Sequence, residues 1–402
     1  MAIKIAFFED NSLQNFHPLT LTRPLYDLRT GILTLGEKWM RVMKHDAEPS
    51  GIHREHIRDL FSQTPALLSD EECYWINPRV FPDKNISKRI EKLSLNSKLA
   101  GNDVLIAARL SAKTHNAWLK SGVNDSDLTE SEYLEEFKSL DDIWQIFQFN
   151  GEEIQEDIKR LGDLKVAKPT DYGHANLVDH HPIYIEDGAI IEPGAILYAE
   201  DGPIYIGEGA RIMANAVVRG PSAICRDSVV KMGAKIYKDT TLGPVCKVGG
   251  EVSNVVFHSY SNKAHDGYAG NSIFGQWCNL GADTNTSNLK NNYSTVRFRN
   301  WKTGEEVDTG QQFIGTIMGD HSKTGINAML NTGTLCGVCC NLFSDGYPPK
   351  YVPSFSWVSG KDVVPYHFEK AVDAMEKMME RRSVKLTPAY KELMKSIFKS
   401  TL

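Results

Sequence analysis

The chain of 402 residues predicts two folds in series: an α/β domain, then an all-β parallel β-helix closed by C-terminal helices. Three observations carry that expectation. A buried-type strand, IKIAFF at 3–8, opens the chain; a strict six-residue period fills its second half; a helical period returns after residue 359. The length alone favours more than one core, since domains commonly run about 100–150 residues.

The period of six is the strongest signal. Positions 206, 212, 218, 224, 230, 236, 242 and 248 hold Ile, Ile, Val, Ile, Val, Ile, Leu and Val. Four residues after each stand Ala210, Ala216, Ser222, Ser228, Ala234, Thr240, Cys246 and Val252. An amphipathic helix repeats at three and four and a half-buried strand at two, so neither gives a six. Short strands joined by tight turns do. The aliphatic residue points inward and the small residue fits a corner. Three strands close one coil, and coils stack at about 4.8 Å. The register extends upstream through Ile185, Ile191 and Leu197 and downstream through Phe274 and Leu280. It breaks over a polar insertion at 285–312 and resumes at Ile314, Asp320, Ile326, Thr332 and Val338, with Met318, Thr324, Leu330, Cys336 and Leu342 at the corners. Asp320 is the one inward carboxylate, either structural or part of a site.

An insertion in a solenoid leaves the stack as a loop, and such loops often build binding surfaces. This one carries Lys290, Arg297, Arg299 and Lys302, suited to phosphates or to an ordinary solvated loop. Cys336, Cys339 and Cys340 form a C-x-x-C-C cluster. Without a second pair of ligands at zinc spacing, it is expected to fill the repeat core.

Just before the insertion, the segment 261–290 reads SNKAHDGYAGNSIFGQWCNLGADTNTSNLK. Lys263, Ala264, His265, Tyr268 and Gly270, then Asn279, Gly281, Ala282, Thr284 and Asn288, resemble the acetyl-transfer site of the bifunctional bacterial enzymes that acetylate glucosamine-1-phosphate and uridylylate the product. The histidine arrives one residue sooner here, and Asn271 replaces an aspartate. The stretches GDHSKTGINAMLNTGT at 319–334 and PSFSW at 353–357 resemble a subfamily of sugar nucleotidyltransferases, and that likeness covers nearly the whole chain. The resemblance implies a left-handed coil, which the period does not. It also implies a homotrimer with acetyl-CoA between adjacent prisms. His265 is then the general base, with Lys263, Tyr268, Asn279, Asn288 and Lys290 on the substrate and His321 and Lys323 as a second candidate pair. The chemistry suits these residues. A neutral imidazole, of pKa about 6.5, accepts the proton of an amine attacking a thioester. Backbone N–H groups of a tight turn hold the oxyanion.

The front of the chain resembles sugar-1-phosphate nucleotidyltransferases through Pro18, Leu19, Thr20, Arg23 and Pro24 in PLTLTRPLYDLRTG. There are departures. No glycine lies between Glu9 and Pro18, so no backbone nest for triphosphate is evident. Asn15 stands about where a catalytic arginine belongs and Leu25 where a lysine belongs. Asn77 takes the place of a metal-binding aspartate, which leaves Asp103 for a Mg²⁺ ion. Departing pyrophosphate needs positive charge, and Arg23, Arg29, Lys38 and Arg79 are the candidates for supplying it. The resemblance implies a sugar-1-phosphate and an NTP, UTP or dTTP, as substrates.

Helical patterns fall near 36–44, 111–121 and 139–162. The expected layout is a nucleotidyltransferase-like α/β domain at 1–165, a linker at 166–182 broken by Pro169, Gly173 and Pro182, the β-helix at 183–358, and helices at 359–402. There Phe368, Val372, Met375 and Met379 share one helix face, and Thr387–Pro388 read as N-cap and N1 of a last helix carrying Leu393, Met394, Ile397 and Phe398.

Composition sets outer bounds. A net charge of −6 gives no electrostatic case for nucleic acid or an anionic membrane. Residues 1–10 lack a signal pattern and no apolar run reaches membrane length, so a cytoplasmic protein is expected. Seven cysteines, an odd number, fit reduced thiols. Two functional classes follow: a transferase making activated N-acetylamino sugars, or a non-catalytic trimer that binds a nucleotide sugar at decayed sites. The His265 constellation favours the first; the missing glycine-rich loop favours the second for the front domain.

Overall fold

The computed structural model describes residues 3–360 and 362–401. The chain forms two compact units. One comprises the N-terminal segment to Phe16 with residues 23–28 and 33–141; the other comprises 17–22, 29–32 and 142–402.

The first unit is a five-stranded sheet with strands β1 (Lys4–Phe7), β2 (Glu72–Ile76), β3 (Ser97–Gly101), β4 (Val104–Ser111) and β5 (Thr129–Glu132) in the order β1-β2-β4-β3-β5. β1 runs parallel to β2 and β3 to β5, while β4 is antiparallel to both neighbours. Alternation along β1 sends Ile5 and Phe7 to one face and Ala6 and Phe8 to the other, each face with its own core. Helices α1 (Leu35–Val42), α2 (Lys84–Glu91) and α3 (Ala112–Ser121) cover the sheet. α1 begins where its sequence says it should, since Thr34 and Glu37 form a reciprocal capping box. The apolar pattern had marked α1 and α3. It missed α2, whose inward face holds only Ile86, Ser87 and Ile90.

The second unit is a parallel β-helix. On one face strands 183–185, 204–206, 222–224 and 240–242 pair in parallel; on the next, 190–191, 211–212, 229–230, 247–248 and 262–263; on the third, 176–178, 196–198, 217–219, 235–236, 251–252 and 268–269. The aliphatic hexad positions from Ile206 to Val248 are all buried, and so are their small partners from Ala210 to Val252. The seven cysteines are buried free thiols; Cys246, Cys278, Cys336 and Cys340 lie in the repeat core, and Cys73 in the core of the first unit.

Two expectations change. Residues 166–182 are not a linker. Asn176–Val178 pairs with Ile196–Tyr198, and Ala167 and Leu177 join the core, so this stretch starts the solenoid. The helices α4 (Gln145–Gln148) and α5 (Asn150–Leu161) also belong to this unit, where Asn150 bonds Thr241. The first compact unit thus ends at Asp141, within the 1–165 expected for the front domain.

The frame after the insertion is also displaced. Met318 pairs with Phe274 and Cys336, Thr324 with Leu342, and Leu330 with Thr286, so these residues point inward. Asp320, Ile326, Thr332 and Val338 sit at turns, and Ile326 is 73% exposed, while Ile314 is buried outside any strand. The slip resolves the anomaly at Asp320. At its corner it is fully buried, yet it accepts hydrogen bonds from Thr22 Oγ1 and the Gln276 amide, each at 2.8 Å. It is a structural carboxylate.

Two C-terminal helices, α6 (Phe368–Glu380) and α7 (Pro388–Thr401), fall where the period returned. Thr387 Oγ1 accepts from the Tyr390 amide at 3.2 Å, which makes it the cap.

Candidate functional site

The site is assembled at a corner of the coil. Val248, Lys263 and Leu280 occupy successive inward positions on one face, so Lys263 takes a place made for an aliphatic residue. It is 1% exposed. Its ammonium donates to the carbonyls of Gly267 at 2.7 Å, His265 at 3.1 Å, Gly249 at 3.3 Å and Asp266 at 3.4 Å. Burial pushes its pKa down to about 8, with Asp266 and Asp283 pulling the other way, so it stays charged at neutral pH. The residue expected on the substrate is instead an internal clamp that gathers the turn at 265–267 from beneath. Gly267 completes the turn at φ +107°, where a Cβ would lie 2.3 Å from the Thr284 carbonyl oxygen.

That turn carries His265 out into solvent, exposed and without a hydrogen bond from its ring to any described residue. Beyond it Tyr268 opens the third-face strand, and its hydroxyl accepts from Asn288 Nδ2 at 3.2 Å. The same amide donates to Asn271 Oδ1 at 2.6 Å. Burial raises the Tyr268 pKa, so the phenol is neutral and can donate in turn. Gly270 makes room, since a Cβ there would meet the Tyr268 hydroxyl at 2.3 Å. The substitution Asn271 thus belongs to the constellation. The structure gathers Tyr268, Asn271 and Asn288 through these bonds, and His265 precedes them on the adjoining turn.

The other candidates divide. Asn279 lies in register with Asn262 and Lys323 on the face before that corner, accepting from Asn262 Nδ2 at 2.8 Å. Lys290 is turned into the insertion, donating to the Thr295 carbonyl at 2.6 Å. The insertion leaves the coil only after Asn285–Thr286, which still pair with Met329–Leu330, and it forms a hairpin of 297–299 against 306–308. Arg299 stacks over Tyr351 at 4.2 Å. His321 is fully buried, with Nε2 2.9 Å from the Tyr390 hydroxyl, and Lys323 donates to the His321 carbonyl at 3.0 Å. Neither reaches the His265 corner as a pair.

In the first unit a cleft of about 1040 Å³ lies beside the end of β1, lined by Glu9, Asp10, Arg54, Arg79, Lys98 and Asp103 among others. Of the expected nucleotide ligands, Asn77 and Arg79 meet at Asp10, donating at 2.8 and 2.6 Å. Thr20, Arg23, Arg29 and Lys38 do not line it. Thr20 bonds His17, Arg23 pairs with Asp27, Arg29 donates to the Ile32 carbonyl, and Lys38 is fully buried. Asp10 was missed because it reads as an ordinary loop acid after β1. Burial would raise its pKa, but bonds from Ser12, Arg79 and Asn77 together with the Arg79 charge leave it lowered. The unfolded chain then binds more protons between the folded pKa and about 3.9, so stability rises with pH across that window. We expect an acid titration of unfolding to show this unit losing the Asp10 contribution as pH falls below about 3.9, and Asp10→Asn to flatten the dependence. An unchanged acid limb in the variant would contradict the assignment.

Asp103 is exposed in the β3–β4 turn, and among the described residues no three His, Cys, Asp or Glu converge to hold a metal.

The chain thus holds a mixed-sheet α/β unit and a parallel β-helix unit. Residues 5–164 match the sugar nucleotidyl transferase family model, so the front of the chain is similar to those domains. Over 143 residues the chain is 31% identical to the bifunctional protein GlmU of Methanococcus vannielii, covering 36% of this chain and 32% of that one. It is 28% identical over 166 residues to the bifunctional sugar-1-phosphate nucleotidylyltransferase/acetyltransferase of Sulfurisphaera tokodaii, covering 36% and 41%. The matched stretches thus span well under half the length of these curated relatives, which are transferases. The solved UDP-N-acetylglucosamine acyltransferase of Francisella novicida overlaps 56% of this chain and 76% of that one at 14% identity, with a TM-score of 0.23, too low to bear on function. No helix among the described residues is long and apolar enough to cross a membrane.

Proposed function

We propose that the β-helix transfers an acetyl group from acetyl-CoA to the amine of an amino-sugar phosphate, with His265 as general base. The observation that carries this reading is the corner itself: an exposed imidazole three residues before Tyr268, whose hydroxyl belongs to a hydrogen-bonded Tyr268–Asn288–Asn271 array. The amine attacks the thioester carbonyl while His265 Nδ1 or Nε2 takes its proton. The tetrahedral oxyanion then collapses, and the coenzyme thiolate leaves. Tyr268 and Asn288 orient sugar and phosphate groups through their remaining donors and acceptors. An imidazole this exposed needs a second wall to exclude water, which supports a homotrimer in which a neighbouring prism closes the site. We place the protein in the cytoplasm with reduced thiols.

For the first unit the resemblance supports nucleotidyl transfer from an NTP to a sugar-1-phosphate. A specific observation favours the second reading, binding without transfer. Every cation lining the cleft is already matched: Arg54 by Glu9, Arg79 by Asp10 and Asp141, and Lys98 by Asp125 and Glu130. A triphosphate would meet no uncommitted positive charge there.

The test uses the full chain with acetyl-CoA and glucosamine-1-phosphate, following free thiol, and separately with UTP or dTTP, N-acetylglucosamine-1-phosphate and Mg²⁺, following pyrophosphate. Thiol release that depends on the amino sugar is expected. Absence of release with this substrate and with a panel of other amino-sugar phosphates would reject acetyl transfer. Pyrophosphate release would reject the binding-only reading.

A further inference from the structure

A second cleft, of about 430 Å³, lies within the β-helix unit. Its floor is the coil face bearing Lys247, Asn262, Asn279 and Lys323. Its side is the stacked pair Tyr260 and Trp277, with ring centroids 4.3 Å apart, and its roof is the C-terminal end of α6 with Lys377, Arg381 and Arg382. Five of its twelve lining residues are cationic and none is acidic. That is a strong local bias in a chain of net charge −6.

These cations are not explained by the fold. Lys377 pairs with Asp373, but among the described residues Lys247, Lys323, Arg381 and Arg382 have no carboxylate partner, and the half-buried Arg382 Nε has no hydrogen-bond acceptor. Cations in the last turn of a helix complement its dipole, which accounts for Arg381 in isolation. It does not account for Lys247 and Lys323, which the coil holds against that helix end. Burial and the charges of Arg382, Lys231 and Arg381 all push the Lys247 pKa down, as happens when like charges are held together. Such an arrangement is costly unless an anion completes it.

The geometry points to a phosphate-binding subsite in this cleft, where Lys247, Lys323 and Arg382 converge on the phosphoryl or pyrophosphoryl group of a ligand. Arg381 and Lys377 stand at the mouth, where exposed charges attract rather than fix an anion. Arg382 supplies the planar donor fork that phosphate oxygens accept from, and the lysines supply point charges. Asn262 Nδ2 is committed to Asn279 Oδ1, so this pair fixes the floor. The ligand class is a phosphate ester or diphosphate. The shared chemistry admits two sources, the nucleotide end of a coenzyme thioester or the diphosphate of a nucleotide sugar. The inference does not rest on acetyl transfer, since it uses Lys247, Arg381 and Arg382, which that reading leaves idle.

The experiment is calorimetric titration of the full chain with inorganic pyrophosphate, repeated for Lys247→Gln, Arg382→Gln and His265→Ala, each checked by thermal melt. Pyrophosphate should bind, and each of the first two variants should weaken binding by about tenfold or more, the usual effect of losing one charge-assisted contact. His265→Ala should bind as the unaltered protein does, which separates failure of this site from failure of the acetyl-transfer assignment. Displacement by adenosine 3′,5′-bisphosphate would support a coenzyme source, and displacement by a UDP-sugar a nucleotide-sugar source. No binding of pyrophosphate by the intact protein, or binding untouched by both substitutions in folded variants, would overturn the proposal.

Discussion

Replacing His265 with alanine should lower acetyl transfer at neutral pH by about 10²–10⁴-fold, the range a positioned general base contributes, and leave the melting temperature unchanged. The second half of that expectation is as specific as the first. The imidazole is exposed and holds nothing in place; only its backbone carbonyl takes part in the fold, through Lys263. Steady-state thiol release on the variant and the unaltered protein, with melts of both, gives the comparison. A variant that turns over within a few-fold of the original would remove His265 from the chemistry, whatever its family counterpart does.

The largest stability effect should come from Lys263. Truncation to alanine withdraws the donor that four carbonyls share and opens a cavity inside the coil. A loss of at least about 3 kcal/mol is expected, from unmet buried acceptors together with lost packing. Lys263→Met separates the two terms, since it nearly keeps the volume and removes the donors. It should lose both melting temperature and acetyl transfer, because the turn that presents His265 is no longer drawn inward. A lysine that merely touched substrate would behave otherwise. Its methionine variant would raise KM with the melting temperature intact, and that result would refute the clamp.

The contrast between these residues shows what the sequence could disclose. The hexads were legible because one aliphatic position in six has no other use, and a coil repeats that demand at every strand. The corner motif was legible because its residues lie within one short stretch. Lys263 was misassigned because a motif names residues without saying which way they face. The direction was nevertheless countable, since Lys263 continues the inward row of Val248 and Leu280. After the insertion the count failed for a physical reason. The inward places at Thr324 and Cys336 are filled by small side chains, while Ile326 and Val338 occupy turns, so hydropathy pointed to the wrong rows. The front domain hid more. Its motif at 18–31 looks like phosphate chemistry, but Thr22 and Gly31 serve the β-helix unit instead, bonding Asp320 and Thr241. Contacts across such separations leave no local pattern.

That last arrangement bears on the order in which the protein is made. Thr22 leaves the ribosome 298 residues before the Asp320 carboxylate that receives its hydroxyl. At ordinary elongation rates the interval is roughly 15–60 s. For that time Thr22 lacks its partner, whereas Gly31 and Ile32 meet theirs at Asn150, Asp157 and Thr241 earlier. That one buried contact of the front segment is therefore completed only when the late coils appear.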